Sequence, residues 1–372
     1  MRELFDDLDR WRDAGRKVAL ARVVDVDGSG PRGPGAAMAV NDAGEVAGSV
    51  SGGCVEGAVV SEALAILAGE ADPRVVTFGY SDDEAFAVGL TCGGTIRLFI
   101  QPVESGVIDE LLRDRIRAEQ SVALATVIDG PTRAATMLVV PDGPAVGTLG
   151  DAQLDRVVAR DALAELEAAR SGVRNYGPHG ETTPEDLEGS PVVRVYVESY
   201  APPPQMWIFG AVDFTAALAR VAKVLGYRVT VCDAREVFAT RRRFPMADEV
   251  IVAWPGRLFD ERSGSLGPRD AVCVLTHDAK FDVPAVAGAL GSGAGYVGVM
   301  GSRTTHEKRL ERLAEAGIDR PEDLARLMSP IGLDIGARTP EETAISICAE
   351  IIARRTGRDA PSLKDTAGPI HA

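Results

Sequence analysis

Two patterns in the sequence predict an α/β protein built in two parts. The first is an echo: Val122-Ala-Leu-Ala-Thr-Val-Ile-Asp129 repeats Val18-Ala-Leu-Ala-Arg-Val-Val-Asp25, and Val192-Val-Arg-Val-Tyr-Val197 repeats Thr95-Ile-Arg-Leu-Phe-Ile100, the mark of an internal duplication. The second is the alternation of short apolar runs with helical patterns beyond residue 205, the rhythm of βαβ units. The expected architecture is an internally duplicated N-terminal α/β region over residues 1–200, with degenerate repeats at about 1–104 and 105–200. A Pro-rich linker at 201–205 follows, and then a C-terminal Rossmann-like doubly wound parallel sheet over 206–372.

The totals agree with this division. A chain of 372 residues holds two or three cores, and 45% hydrophobic with 5% aromatic residues is ordinary for a soluble α/β protein. The net charge of −15 excludes a general nucleic-acid binder and an anionic-membrane binder, which both need a basic surface. Cys54, Cys92, Cys232, Cys273 and Cys348 are odd in number and lack metal-site spacing. So few cysteines in a long chain point to a reducing cytoplasm. The first residues read as an acidic amphipathic helix and not as a signal peptide, and no apolar run is long enough to span a membrane.

Element by element, Leu4, Phe5, Leu8 and Trp11 carry the first helix and Val18–Val26 the first strand. The loop Asp27–Gly35, rich in Gly and Pro, breaks regular structure. A hairpin over Ala36–Val50 turns at Asn41-Asp42-Ala43-Gly44. Gly48-Ser-Val-Ser-Gly-Gly-Cys-Val-Glu56 then opens a helix running to about Ala68. Unpaired N–H groups at such a start offer a seat for an anion, and a cysteine there feels the positive end of the helix dipole. Strands at Val75–Phe78 and Thr95–Pro102 flank the stretch Gly89-Leu-Thr-Cys-Gly-Gly94.

The second copy serves as a control. It keeps the apolar strands and a helix at about Asp151–Arg170, but has Gly150, Asp151, Ala152 and Gln153 where the first has Ser51, Gly52, Gly53 and Cys54. Glu188-Gly-Ser-Pro191 replaces Thr91-Cys-Gly-Gly94. The scaffold folds without these groups, so they suit a site.

In the C-terminal part, strands are expected at Met206–Phe209, Arg228–Cys232, Glu249–Ala253, Ala271–Leu275 and Tyr296–Met300. Helices are expected at Phe214–Gly226, about Val283–Leu290 and about Thr304–Ala316. Gly210, followed by Asp233 about twenty residues on, is the Rossmann arrangement. Gly210-Ala-Val-Asp-Phe-Thr215 nevertheless lacks two of the three fingerprint glycines. Asp213 near the helix start would cap the helix and repel a pyrophosphate, so NAD(P) is the secondary cofactor reading. His277, Lys280, Arg303, His306 and Arg338 fall at strand ends and together suit a phosphate or an anionic cofactor. Thr339-Pro-Glu-Glu342 is a capping box.

The stretches Gly48–Glu56, Gly89–Gly94, Cys232-Asp-Ala-Arg235, Thr276-His-Asp-Ala-Lys-Phe-Asp282, Gly298-Val-Met-Gly-Ser-Arg303 and Pro330-Ile-Gly-Leu-Asp-Ile-Gly-Ala-Arg-Thr-Pro340 carry a resemblance across the whole chain. It resembles the XdhC/CoxI family of xanthine dehydrogenase accessory proteins. The resemblance implies a chaperone, not a catalyst, that holds the molybdenum cofactor (molybdopterin) and keeps it available for sulfuration by a cysteine desulfurase. It would then deliver the cofactor to a molybdenum hydroxylase client. On this reading Ser51, Gly52, Gly53, Cys54, Glu56, Cys92, Gly93, Gly94, Gly210, Asp233, His277, Lys280, Arg303, His306, Asp334 and Arg338 are the candidate cofactor-binding residues. Cys54 and Cys92 are the candidate molybdenum contacts. A homo-oligomer would be natural for a carrier. The competing readings are an NAD(P)-dependent oxidoreductase and a sulfurtransferase with a persulfide on Cys54.

Overall fold

The computed structural model describes residues 2–28, 32–79, 94–103, 106–182, 192–276 and 278–366. The chain divides at Pro202/Pro203 into two compact units. In the first unit, α1 (Phe5–Asp13) precedes β1 (Val18–Asp27), β2 (Ala37–Asn41), β3 (Val46–Gly48), α2 (Glu56–Leu67), β4 (Arg74–Phe78) and β5 (Thr95–Pro102). The second copy supplies α3 (Val107–Arg117), β6 (Val122–Asp129), β7 (Thr136–Val139), β8 (Val146–Gly147), α4 (Ala152–Ala168), β9 (Gly172–Tyr176) and β10 (Val193–Tyr200).

Both copies form antiparallel five-stranded sheets of the same order, β3-β2-β1-β5-β4 and β8-β7-β6-β10-β9. The β1–β5 register slips at Val24 and the β6–β10 register slips at the matching Ile128. A bulge kept at one position in both copies is a built feature of the repeat. Gly48 and Gly147 also match: each has a positive φ, and a Cβ would lie 2.5 Å from a carbonyl oxygen of the neighbouring strand.

Strand alternation assigns the two faces of each sheet. Ala19, Ala21 and Val23 pack under α2, and Ala123, Ala125 and Val127 pack under α4. Leu20 and Leu124 face the other way, into a core shared with α1 and α3. Arg22 and Glu198, one from each copy, form a fully buried ion pair in this region, with the Arg22 guanidinium against the rings of Phe99 and Tyr196.

The second unit contains β11 (Gln205–Phe209), α5 (Asp213–Val224), β12 (Arg228–Asp233), β13 (Glu249–Val252), α6 (Pro255–Arg262), β14 (Ala271–Val274), α7 (Ala279–Gly291), β15 (Tyr296–Val299), α8 (Arg303–Glu315), α9 (Pro321–Leu324), β16 (Leu327–Met328) and α10 (Pro340–Thr356). All six strands are parallel, in the order β13-β12-β11-β14-β15-β16, which is the Rossmann order with β11 as its first strand. Met206 and Ile208 join a core with α5 and α10, while Trp207 and Phe209 join one with α6 and α7. The sheet is therefore covered on both faces, as its near-continuous apolar strands require. Thr339 and Glu342 close the expected capping box at α10. Among the described residues, no helix is long and apolar enough to cross a membrane.

Candidate functional site

The two copies differ most where each sheet hands over to its helix. In the second copy the hand-over is a regular helix start: Asp151 caps α4 by accepting the N–H groups of Gln153 and Leu154 at 2.9 and 3.0 Å. In the first, the matching residues Gly52–Val55 are not helical and α2 begins only at Glu56. Gly52 and Gly53 have φ of +79° and +122°, values that a right-handed helix cannot contain and that other residues adopt only with strain. The two glycines thus unwind the turn that holds Gln153 in the second copy. Cys54 sits in that loop, ahead of the helix, and not in its first turn as the sequence suggests.

Unwinding frees N–H groups that must find acceptors. Glu56 supplies them. Its carboxylate accepts the N–H groups of Ser51, Gly52 and Gly53 at 2.9–3.0 Å and those of Val50 and Val55 at 3.2–3.3 Å. It also accepts the hydroxyls of Ser49 and Ser51 at 2.7 and 2.5 Å. Burial alone would raise the Glu56 pKa, but the Ser51 and Ser49 hydroxyls and the Ser51 N–H outweigh it and bring it down from 4.5 to about 2. Ser51 Oγ accepts from the N–H groups of Cys54 and Val55 at 3.0 and 3.1 Å. The anion seat expected here therefore exists, and the chain's own carboxylate sits in it. Glu56 organises the loop rather than leaving it open to a phosphate.

The second copy keeps a reduced form of this clasp. Asp155, the counterpart of Glu56, accepts from the Thr148 hydroxyl and the Leu149 N–H, both at 2.7 Å. Cys54 is half-buried against the cluster under α2 that includes Val23, Val59 and Ile96. At the end of the sheet where β1 stops and β5 starts, a Cβ on Gly28 would be 3.6 Å from the Cα of Gly94. Cys92, Gly93 and His277 lie outside the described residues.

In the second unit the predicted residues separate into two groups. Gly210 ends β11 with φ of +108°, and a Cβ there would lie 3.1 Å from the Thr276 N–H nitrogen. Asp233 is buried and fully engaged, accepting from Ala211 N–H at 2.7 Å and from the N–H, Nε and Nη2 of Arg235 at 2.8–3.0 Å. Burial works against its ionisation, but Arg235 and the Ala211 N–H prevail and lower its pKa. Asp233 thus ties the first turn to the second strand. Asp213 does not cap α5: Val212 is the N-cap, with no side-chain bond.

The other group falls at the carboxyl ends of three neighbouring strands. Lys280 follows β14, Arg303 follows β15, and Asp334 and Arg338 follow β16. All four are exposed, and among the described residues no hydrogen bond or ion pair engages the side chains of Lys280, Arg303 and Arg338. His306 is half-buried in the first turn of α8. Burial and Arg309 lower its pKa, and its Nδ1 is buried with no partner among the described residues. Sequence reasoning missed Arg309 itself. It is buried and binds Asp282, Ser329 Oγ and Met300 O at 2.8–3.0 Å, bracing these loops. Glu350 and Ser346 brace the next loop by accepting from Gly332 N–H at 2.9 Å and donating to Leu333 O at 2.6 Å. Among the described residues, no cluster of three or more His, Cys, Asp or Glu side chains could hold a metal ion unaided.

Comparison with known proteins places these features in a family. The family model described as the XdhC and CoxI family matches two stretches, residues 11–79 and 115–177, which fall one in each copy. The model of the XdhC Rossmann domain matches residues 206–351. The chain is 28% identical over 352 residues to a Bacillus subtilis protein named as a probable xanthine dehydrogenase subunit, covering 94% of this chain and 96% of that one. It is 26% identical over 349 residues to the Escherichia coli molybdenum cofactor insertion chaperone PaoD, covering 94% of this chain and 87% of that one. A crystal structure of a Bacillus halodurans protein, described as a xanthine dehydrogenase, is similar with a TM-score of 0.67 and 26% identity, covering 96% of this chain and 97% of that one. The chain belongs to the XdhC and CoxI family.

Proposed function

We propose that this protein is an insertion chaperone that carries the molybdenum cofactor as cargo to a xanthine dehydrogenase-type molybdenum hydroxylase. The observation that carries this reading is the unwound helix start of the first copy, a loop shaped by Glu56 that presents Cys54 where the second copy has an ordinary helical turn. A soft sulfur ligand suits molybdenum, and Cys54 is our candidate contact, with Cys92 as its companion. The N–H groups of residues 50–53 and 55 are spent on Glu56, so this loop offers the cargo its sulfur and not an anion seat. Within the second unit, taken by itself, the exposed groups Lys280, Arg303 and Arg338 suit a phosphate. In this role the protein shields the cofactor in the cytoplasm, keeps it accessible to a cysteine desulfurase for terminal sulfuration, and passes it to the client.

The test is to mix purified protein with freshly released molybdenum cofactor, remove the excess, and assay bound pterin and molybdenum, with NAD(P) tested in parallel. Stoichiometric pterin and molybdenum are expected. The parallel arm addresses an NAD(P)-dependent oxidoreductase, which the Rossmann strand order and the uncapped start of α5 favour. The engaged Asp233 weighs against it, since both its oxygens already serve the chain. Nucleotide binding without pterin would replace the chaperone reading with this one.

A further inference from the structure

The two copies meet through a pseudo-symmetric face that is chemically uneven. Arg22 in β1 corresponds to Thr126 in β6, and Gln101 in β5 corresponds to Glu198 in β10, at matching register in the two sheets. On one side Arg22 pairs with Glu198, and Tyr200 donates its hydroxyl to the same carboxylate at 3.0 Å. On the other side Thr126 Oγ1 and Gln101 Oε1 are buried with no partner among the described residues. Where the second copy has Tyr200, the first has Val103. A groove of about 540 Å³ opens there, walled by Leu20, Val103, Leu112, Leu124 and Val146, with Arg22 and Gln101 also lining it.

Arg22 is 0% exposed, and only its Nη1 has a protein acceptor, while Nε and Nη2 have none among the described residues. Nε and Nη2 form one edge of the guanidinium, the two-toothed fork that fits a carboxylate. A buried pair left with unmet N–H groups is costly, and such groups call for an acceptor. The volume is that of a small-molecule pocket, apolar with few polar groups. Tyr200 shows what fills the equivalent space in the second copy: an aromatic ring whose hydroxyl meets the side chain at the Glu198 position.

We infer that the groove between the two repeat sheets is a binding site for a small aromatic carboxylate. Its ring lies beside Val103 where a tyrosine is missing, and its carboxylate draws the Nε–Nη2 edge of Arg22, which solvent does not reach in this structure, outward into contact. A ring hydroxyl donates to Gln101, as Tyr200 does to Glu198. The site lies on the sheet face opposite α2 and Cys54, so it is separate from the proposed cofactor contact.

The test titrates full-length protein with 4-hydroxybenzoate and, separately, 4-hydroxybenzamide, following saturation-transfer NMR and thermal stabilisation. We expect saturable one-site binding of the acid and at least tenfold weaker binding of the amide. Val103→Tyr rebuilds the missing tyrosine and should abolish binding, whereas Gln153→Ala, exposed at the start of α4, should leave it unchanged. Gln101→Glu, which gives the first copy the side chain the second already carries, should weaken binding at least tenfold by closing Arg22 on an internal carboxylate. This variant decides the matter if Val103→Tyr fails to fold. No saturable binding of the acid, equal binding of the amide, or binding undiminished in the groove variants would overturn the assignment.

Discussion

The first and second copies of the N-terminal unit share sheet order, bulge, turn glycine and a hydroxyl-to-carboxylate clasp, yet only the first gives up the opening turn of its helix. What is common to both is what the fold needs. What differs has a structural cost, visible in the strained glycines and the carboxylate that gathers the freed N–H groups. A chain that keeps a costly loop beside a working example of the cheaper alternative is, on our proposal, keeping it for a site.

The comparison can be broken at several points. The largest effect is expected at the contact between the copies. Glu198→Ala strands the buried Arg22 and should cost about 3–5 kcal/mol in urea unfolding, whereas Gln101→Ala at the matching place should cost about 1 kcal/mol or less. A smaller loss at Glu198 than at Gln101 would contradict the uneven face.

Next comes the clasp. Glu56→Gln should cost about 1.5–2 kcal/mol after allowing for solvent screening, and Asp155→Asn, with fewer donors, about 1 kcal/mol. The Glu56 pKa is lowered in the folded state from 4.5 to about 2, so its contribution is complete above the unfolded value and is lost as pH falls through the folded one. The stability gap between the native protein and Glu56→Gln should therefore close between pH 4.5 and pH 2. A gap that stayed constant over that range would remove the carboxylate from the account.

The finest probe is Gly53→Ala. It should cost about 1–2 kcal/mol through its positive φ alone, because nothing lies within 4 Å of the added Cβ. The corresponding Ala152 is helical, and Ala152→Gly should cost about 1 kcal/mol for the opposite reason.

Much of this is legible in the sequence. Apolar patterning locates the strands it names within one or two residues, because burial imposes the pattern locally, but β7, β9 and the two-residue β16 are not named by it. The echo between Val18–Asp25 and Val122–Asp129 announces the duplication, and the glycine-to-acid spacing announces the Rossmann unit. Strand order is not readable, since pairing β1 with β5 joins residues some eighty positions apart. Sequence alone makes Glu56 an open ligand position, because its side-chain direction depends on the φ values of Gly52 and Gly53. The signal is nonetheless present in Gly52-Gly53, set against Asp151-Ala152 of the second copy. Arg22 is a lone charge in an apolar strand, and Arg309 stands amid a polar helix. Neither reveals its partner until Glu198 and Asp282 are brought to it.

The central claim is that the loop peculiar to the first copy holds the cargo. It is tested most directly by loading the native protein, Cys54→Ala and Gln153→Ala with molybdenum cofactor side by side and measuring retained molybdenum and pterin. The account predicts that Gln153→Ala retains both at the native level while Cys54→Ala loses most of the molybdenum. Full retention by Cys54→Ala, or equal loss in both variants, would contradict it.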